Sequence, residues 1–128
     1  MPRVGPRQGA WLIAAGRVAL GVAVLAAPEQ VTARWLGEDN AELPVVGDLA
    51  RSLGARDLAL GIVALRTLDD PVNGPRVQLL CALVDAADVL ATVIARRSLP
   101  RKGLYGTVAI AGVAAGAGLY CARELARV

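Results

Sequence analysis

The chain has 128 residues, of which 55% are hydrophobic, and a net charge of +3. It contains no histidine, which excludes haem ligation by histidine, histidine-based metal sites and Ser-His or Cys-His catalysis. The basic residues are spread over loops and termini without interleaved aromatic residues, so we expect no nucleic-acid binding. The charges cluster between four apolar stretches, and this pattern predicts a membrane protein.

The predicted fold is an all-α, integral membrane four-helix bundle with a short interfacial helix after the first span. Each span has close to the 20 or so residues that cross the hydrocarbon, and the spans are predicted at about 9–27, 45–65, 76–96 and 104–122. The interfacial helix is predicted at about 28–37, where Val31 and Trp35 share one side and polar residues occupy the other. Residues 69–75, DDPVNGP, predict a turn before the third span. Residues 1–128 then form a single transmembrane domain.

The predicted location is the bacterial cytoplasmic membrane, with the chain crossing it several times. Arginine far outnumbers lysine, and small aliphatic residues supply most of the apolar mass, which is typical of a GC-rich bacterial genome. Four spans place both termini on one side, but the basic residues are divided almost evenly between the two sides. The dense RRSLPRK loop at 96–102 favours the cytoplasm for its own side, while a mixture of both orientations stays open.

A polar stripe runs along the third span. At about 100° per residue, one narrow face of this helix carries Gln78, Cys81, Asp85, Asp88, Thr92 and Arg96. Such a stripe cannot face lipid, because no water is present there to satisfy its polar groups. We therefore expect it to face the interior of the bundle, either as a hydrogen-bonded network that orients the helices or as the lining of a pocket or proton path.

Counter-charges are predicted at the same depth in the first two spans. Arg17 lies near the middle of span one, and Arg56 and Asp57 near the middle of span two. Together with Asp85 and Asp88 they give two cations against three carboxylates, and a retained proton would neutralise the remaining charge. We expect Arg17 to pair with a carboxylate of span three.

Small residues predict close helix packing at two places. Gly54 and Gly61 flank Asp57 on one side of span two and should let another helix approach it. Gly112 and Gly116 form a small-residue seam on span four, through which a homo-oligomer is one candidate assembly. No metal ligand set and no cofactor motif is present, and Cys81 and Cys121 are expected to be free.

Three segments resemble a family of small four-span bacterial membrane proteins of unknown function. They are RVALGVAVLAAPEQVTARWLG at 17–37, ARSLGARDLALGI at 50–62 and LVDAADVLATVIARRSLPR at 83–101. The resemblance covers most of the chain and implies a four-span architecture, without an activity. The residue types of the charged set, though not their spacing, also resemble the Asp-Arg-Asp set of limonene epoxide hydrolases.

The favoured functional hypothesis is a protein that binds and processes a hydrophobic small molecule by acid/base chemistry, such as isomerisation, cyclisation or epoxide opening. The residues expected to carry this chemistry are Asp85, Asp88, Asp57, Arg17 and Arg56. Those expected to contact the substrate are Gln78, Cys81, Thr92 and Tyr105. The alternatives are a small proton-coupled transporter and a non-catalytic accessory subunit of a membrane complex. A closed pocket beside the stripe would favour the enzyme, and a water path open to one side would favour the transporter. The absence of any cavity would favour the subunit.

Overall fold

The computed structural model describes residues 5–127, which fold into six helices. The helices are α1 (Pro6–Ala26), α2 (Pro28–Leu36), α3 (Glu38–Ala41), α4 (Pro44–Thr67), α5 (Asn73–Ile94) and α6 (Arg101–Leu125). The all-α prediction is confirmed for these residues, and the four long helices coincide with the predicted spans. Residues 1–4 and 128, which the predicted domain includes, lie outside the described residues.

Three of the helices, α1, α5 and α6, are long and apolar enough to cross a membrane. Helix α4 is as long as these, with 24 residues. It differs in carrying five charged residues, namely Asp48, Arg51, Arg56, Asp57 and Arg66. The length and composition of the helices are thus consistent with a membrane protein, and α4 is distinguished by its charges.

The long helices begin earlier than predicted, and prolines start two of them. Pro6 and Pro44 occupy the first turn of α1 and α4, where the missing N–H would have no helical partner. Helix α5 begins at Asn73 for a further reason. The Asp70 carboxylate accepts hydrogen bonds from the backbone N–H groups of Asn73 and Val72, each at 2.8 Å. These bonds hold the pKa of Asp70 below its ordinary value and fix the turn before α5.

The four long helices contact one another in the order α4, α1, α6, α5, and α5 in turn contacts α4. Helix α1 packs most extensively with α4, at points where glycines leave no space for a side chain. A Cβ on Gly21 would lie 2.6 Å from the backbone nitrogen of Leu58, and one on Gly61 would lie 2.9 Å from the carbonyl oxygen of Ala14. The predicted close approach at Gly54 and Gly61 is confirmed, and its partner is α1.

Helix α2 lies against one end of the long helices, where it contacts α4 and α6. Gly103, in the first turn of α6, abuts the backbone of Trp35, and a Cβ at this glycine would overlap the Trp35 carbonyl oxygen. The predicted helix at 28–37 is present as α2, while the short α3 that follows was not predicted. Gly37 separates the two with a φ of 87°, which favours glycine.

The seam at Gly112 and Gly116 has no partner within residues 5–127. A Cβ built on either glycine meets no atom within 4 Å. A homo-oligomer through these two glycines therefore stays a prediction.

Replacement of Gly21 by Ala should force α1 and α4 apart, because the added methyl group meets backbone atoms that cannot rotate away. We expect a loss of about 1–3 kcal/mol in the free energy of unfolding, measured in detergent. Gly16 lies on the same helix and has no atom within 4 Å of a built Cβ, so Gly16→Ala is the matched control. The control should be neutral or stabilising by about 0.5–1 kcal/mol. Equal stability of the two variants would contradict the close packing.

Candidate functional site

Arg17 is the buried cation around which the polar interior forms. It lies near the middle of α1, and its side chain is only 6% exposed. Its Nη2 donates to both carboxylate oxygens of Asp85 at 2.6 Å, and its Nη1 donates to Asp57 Oδ1 at 3.0 Å. The predicted pairing of Arg17 with a carboxylate of span three is confirmed, and Asp85 is that carboxylate. A buried charge of this kind is tolerated only with partners that satisfy it.

Arg56 forms a second ion pair, between α4 and α5. Its Nη1 and Nη2 donate to the two oxygens of Asp88 at 3.0 and 2.7 Å, which is the two-pronged geometry that guanidinium and carboxylate groups favour. The side chains of Arg56 and Asp88 are 33% and 36% exposed, whereas that of Asp85 is 9% exposed. The Arg56–Asp88 pair is therefore accessible from outside, whereas the Arg17–Asp85 pair is buried.

Asp57 joins the two ion pairs into one network. Its Oδ1 accepts from Arg17 Nη1 at 3.0 Å and from Arg56 Nη2 at 3.2 Å. The order of contacts is Asp85, Arg17, Asp57, Arg56 and Asp88, and we call these five residues the charged cluster. It connects three helices, α1, α4 and α5, and separates its three carboxylates with two guanidinium groups. With all five groups ionised the cluster has a formal charge of −1.

Among the residues predicted to contact a substrate, three lie on the interior face of α5. Gln78 and Cys81 are buried, and so is Thr92. The hydroxyl of Thr92 donates to the carbonyl oxygen of Asp88 at 2.7 Å, so its proton is already used within the helix. Tyr105 is 69% exposed on α6, on the outer surface, and it is not brought to the charged cluster.

Three buried nitrogen atoms along the polar interior lack an acceptor among the described residues. They are Nε of Arg17, Nε of Arg56 and the side-chain nitrogen of Gln78. Each is a donor, so a bound oxygen atom, whether of water or of a ligand, would stabilise it. Among the described residues, no buried carboxylate oxygen of the interior lacks a hydrogen-bond partner. The unused donors belong to two guanidinium groups and one amide.

Two of the surface cavities in the described part of the chain are lined by residues other than the charged cluster. One, of about 430 Å³, lies near the start of α1 and is lined by Gly5, Arg7, Gln8, Trp11 and Leu68. The other, of about 210 Å³, is an apolar groove between α5 and α6, lined by Leu79, Ala82, Leu83, Ala86, Ala115, Gly116 and Leu119. Any ligand of the cluster would approach it through the exposed Arg56–Asp88 pair.

Metal and cysteine chemistry have little support in residues 5–127. No three His, Cys, Asp or Glu side chains lie close enough together there to hold a metal ion. Cys81 and Cys121 are both buried and free.

Apart from the expected pairing of Arg17 with a carboxylate of span three, the pairing within the charged cluster is the feature that the sequence did not predict. All five residues were expected at one depth, but the helical repeat does not indicate which arginine reaches which aspartate. Nor did the sequence predict the contrast in exposure between the two ends of the cluster.

Comparisons with protein-family models, with curated proteins and with solved structures found no significant match to this chain.

Replacement of Arg17 by Ala should destabilise the protein by about 3–5 kcal/mol, because it leaves Asp85 buried without a counter-charge. The double variant Arg17→Ala/Asp85→Asn should recover part of that loss, since it removes the stranded charge. Both can be measured as free energies of unfolding in detergent. Arg7→Ala is the control, because its ion pair with Asp69 is exposed and should contribute about 0–1 kcal/mol. A double variant no more stable than Arg17→Ala would contradict the pairing.

Proposed function

We propose that this chain is a multi-pass integral membrane protein, a four-helix bundle of the bacterial cytoplasmic membrane with α2 at the headgroup level. The proposal is supported by the three apolar helices α1, α5 and α6 and by the contacts of α4 with two of them. In α4 the two charges nearest its centre, Arg56 and Asp57, are paired within the charged cluster. Pairing lowers the free-energy cost of placing them in a membrane.

We infer that the charged cluster binds a hydrophobic small molecule and acts on it by acid/base chemistry. The observation that carries this inference is the partial exposure of the Arg56–Asp88 pair. Asp88 lies roughly 9 Å inside the end of α5, counting about 1.5 Å per residue from Ile94, and Arg56 lies at the centre of α4. An ion pair exposed at that depth is costly against hydrocarbon. A ligand with a polar group covering it would lower that cost.

The roles of the individual residues follow from their contacts. Asp88 is the group that exchanges a proton with the substrate, because it is the most accessible carboxylate of the cluster. Arg56 stabilises negative charge that develops on the substrate. Asp57 is a positioning residue, since its single oxygen Oδ1 holds both arginines. Arg17 and Asp85 form the buried anchor that fixes Asp57. Isomerisation, cyclisation and epoxide opening all use this combination of a proton donor and a cation.

A second candidate function is that of a non-catalytic subunit of a membrane complex. The observation that favours it is the position of the two cavities, neither of which touches the cluster. In this case the ion pairs orient α1, α4 and α5, and a partner helix covers the exposed pair.

Asp88→Asn separates the two candidates, because it keeps the size of the side chain and removes the ionisable proton. We expect a folded variant that loses about 100-fold or more of the wild-type turnover, found by screening lipid-soluble substrates in proteoliposomes. Asp48→Asn is the control, because Asp48 is exposed near the start of α4 and its carboxylate pairs with the nearby, exposed Arg51. A folded Asp88→Asn variant with full turnover would exclude Asp88 from the chemistry. Wild-type protein without turnover on any such substrate would favour the subunit.

The four-span topology predicts the side on which reporter proteins appear when fused along the chain. Fusions after Asn40 and Arg101 should report one side, and fusions after Val72 and at the C-terminus the other. Opposite sides for Asn40 and Arg101 would contradict four spans. Both signals at every position would instead indicate dual orientation and support the transporter hypothesis.

A further inference from the structure

The connection between α5 and α6 concentrates positive charge at one end of the long helices. Four of the seven residues at 96–102, which include the first two of α6, are basic, and we call Arg96, Arg97, Arg101 and Lys102 the basic segment. All four side chains are exposed. The Arg96 guanidinium donates to the carbonyl oxygen of Val93 at 3.1 Å, which keeps it beside the end of α5.

The basic segment has no counter-charge within residues 5–127, where no carboxylate lies within 4.0 Å of any of its four cations. At the opposite end of the same helices, Arg7 pairs with Asp69, and Arg127 pairs with Glu124. Helix α3 begins close to this segment, since a Cβ on Gly37 would lie 3.7 Å from Pro100, but among the described residues Glu38 and Asp39 form no ion pair with the four cations. No direct ion pair within residues 5–127 therefore neutralises the basic segment.

The position of the basic segment is set by the two helices that it joins. Helices α5 and α6 are both long and apolar enough to cross a membrane, and the segment begins just beyond Ile94 and extends into the first turn of α6. Trp35 lies beside it, because the backbone of this residue abuts Gly103. Tryptophan side chains favour the boundary between hydrocarbon and headgroups. In the proposed membrane the four cations would lie at the level of the lipid phosphates, with Trp35, whose indole nitrogen is buried, beside them.

We infer that the basic segment is a binding surface for the phosphate groups of anionic phospholipids. Lipid phosphates provide the missing counter-charge, and clustered basic residues at the end of a membrane helix attract anionic lipids in preference to zwitterionic ones. The inference rests on the membrane location proposed above and is independent of any chemistry at the charged cluster. It names anionic phospholipids as the lipid class that this end of the protein binds.

Quenching of Trp35 fluorescence by brominated lipids tests this inference, because Trp35 reports from beside the basic segment. The Trp11→Phe variant leaves Trp35 as the sole tryptophan. This variant is reconstituted into phosphatidylcholine vesicles that contain a small fraction of brominated phosphatidylglycerol or, in parallel, of brominated phosphatidylcholine. We expect phosphatidylglycerol to be enriched at least three-fold over phosphatidylcholine around Trp35, and the enrichment to fall as the salt concentration rises.

Two variants with four glutamines each, made in the Trp11→Phe background, provide the comparison. The first neutralises the basic segment and consists of Arg96→Gln, Arg97→Gln, Arg101→Gln and Lys102→Gln. The control neutralises four arginines at the opposite end of the helices and consists of Arg7→Gln, Arg66→Gln, Arg76→Gln and Arg123→Gln. The first should lose the enrichment, and the control should keep it. If either quadruple variant fails to fold, a double variant with its first two substitutions replaces it. The double variant of the basic segment should halve the enrichment of phosphatidylglycerol, and the double variant of the control should leave it unchanged.

Three outcomes would overturn the inference. Equal quenching by the two lipids in the wild-type segment would mean that no anionic lipid is selected. Retention of the enrichment after neutralisation of the basic segment would assign it to other residues. Loss of the enrichment on adding millimolar inorganic phosphate at constant ionic strength would indicate a site for free phosphate rather than for a lipid headgroup. None of these outcomes bears on turnover by the charged cluster.

Discussion

The structure depends on the burial of one charge, that of Arg17. A guanidinium group inside an apolar helix is stable only when carboxylates surround it, and both of its partners come from other helices. Asp85 therefore fixes the axial position and the rotation of α5 relative to α1, and Asp57 does the same for α4. Apolar contacts alone would specify this arrangement less strictly, because methyl and methylene groups pack in many registers.

Glycines and arginines have complementary roles in forming the interior. Gly21 and Gly61 bring α1 so close to α4 that Arg17 reaches Asp57 directly. Between α4 and α5 contacts are fewer, and the long side chain of Arg56 bridges to Asp88 instead. The result is a cluster that is sealed on the α1 side and accessible on the α4–α5 side. This difference in access, rather than the presence of charge, distinguishes the residues proposed to meet a ligand from those that position them.

The two ends of the long helices differ in how their charges are neutralised. At the end that contains the start of α1, Arg7 and Arg127 have carboxylate partners, while Arg66, Arg76 and Arg123 form no ion pair among the described residues. At the other end, the segment 96–102 keeps four exposed cations without such partners. In the proposed membrane, unpaired cations clustered in this way would favour anionic lipid at this end of the protein.

The sequence by itself determined α2, the four long helices, their order and the five charged residues that meet between them. Hydrophobic periodicity and proline positions are local properties of the chain, and they predicted every long helix with errors only at its ends. Only the tertiary structure decided that Arg17 takes Asp85 and Arg56 takes Asp88, and that Tyr105 faces outward. These outcomes depend on the distances and rotations between helices, which are set by contacts such as Gly21 with Leu58 that join residues far apart in the chain.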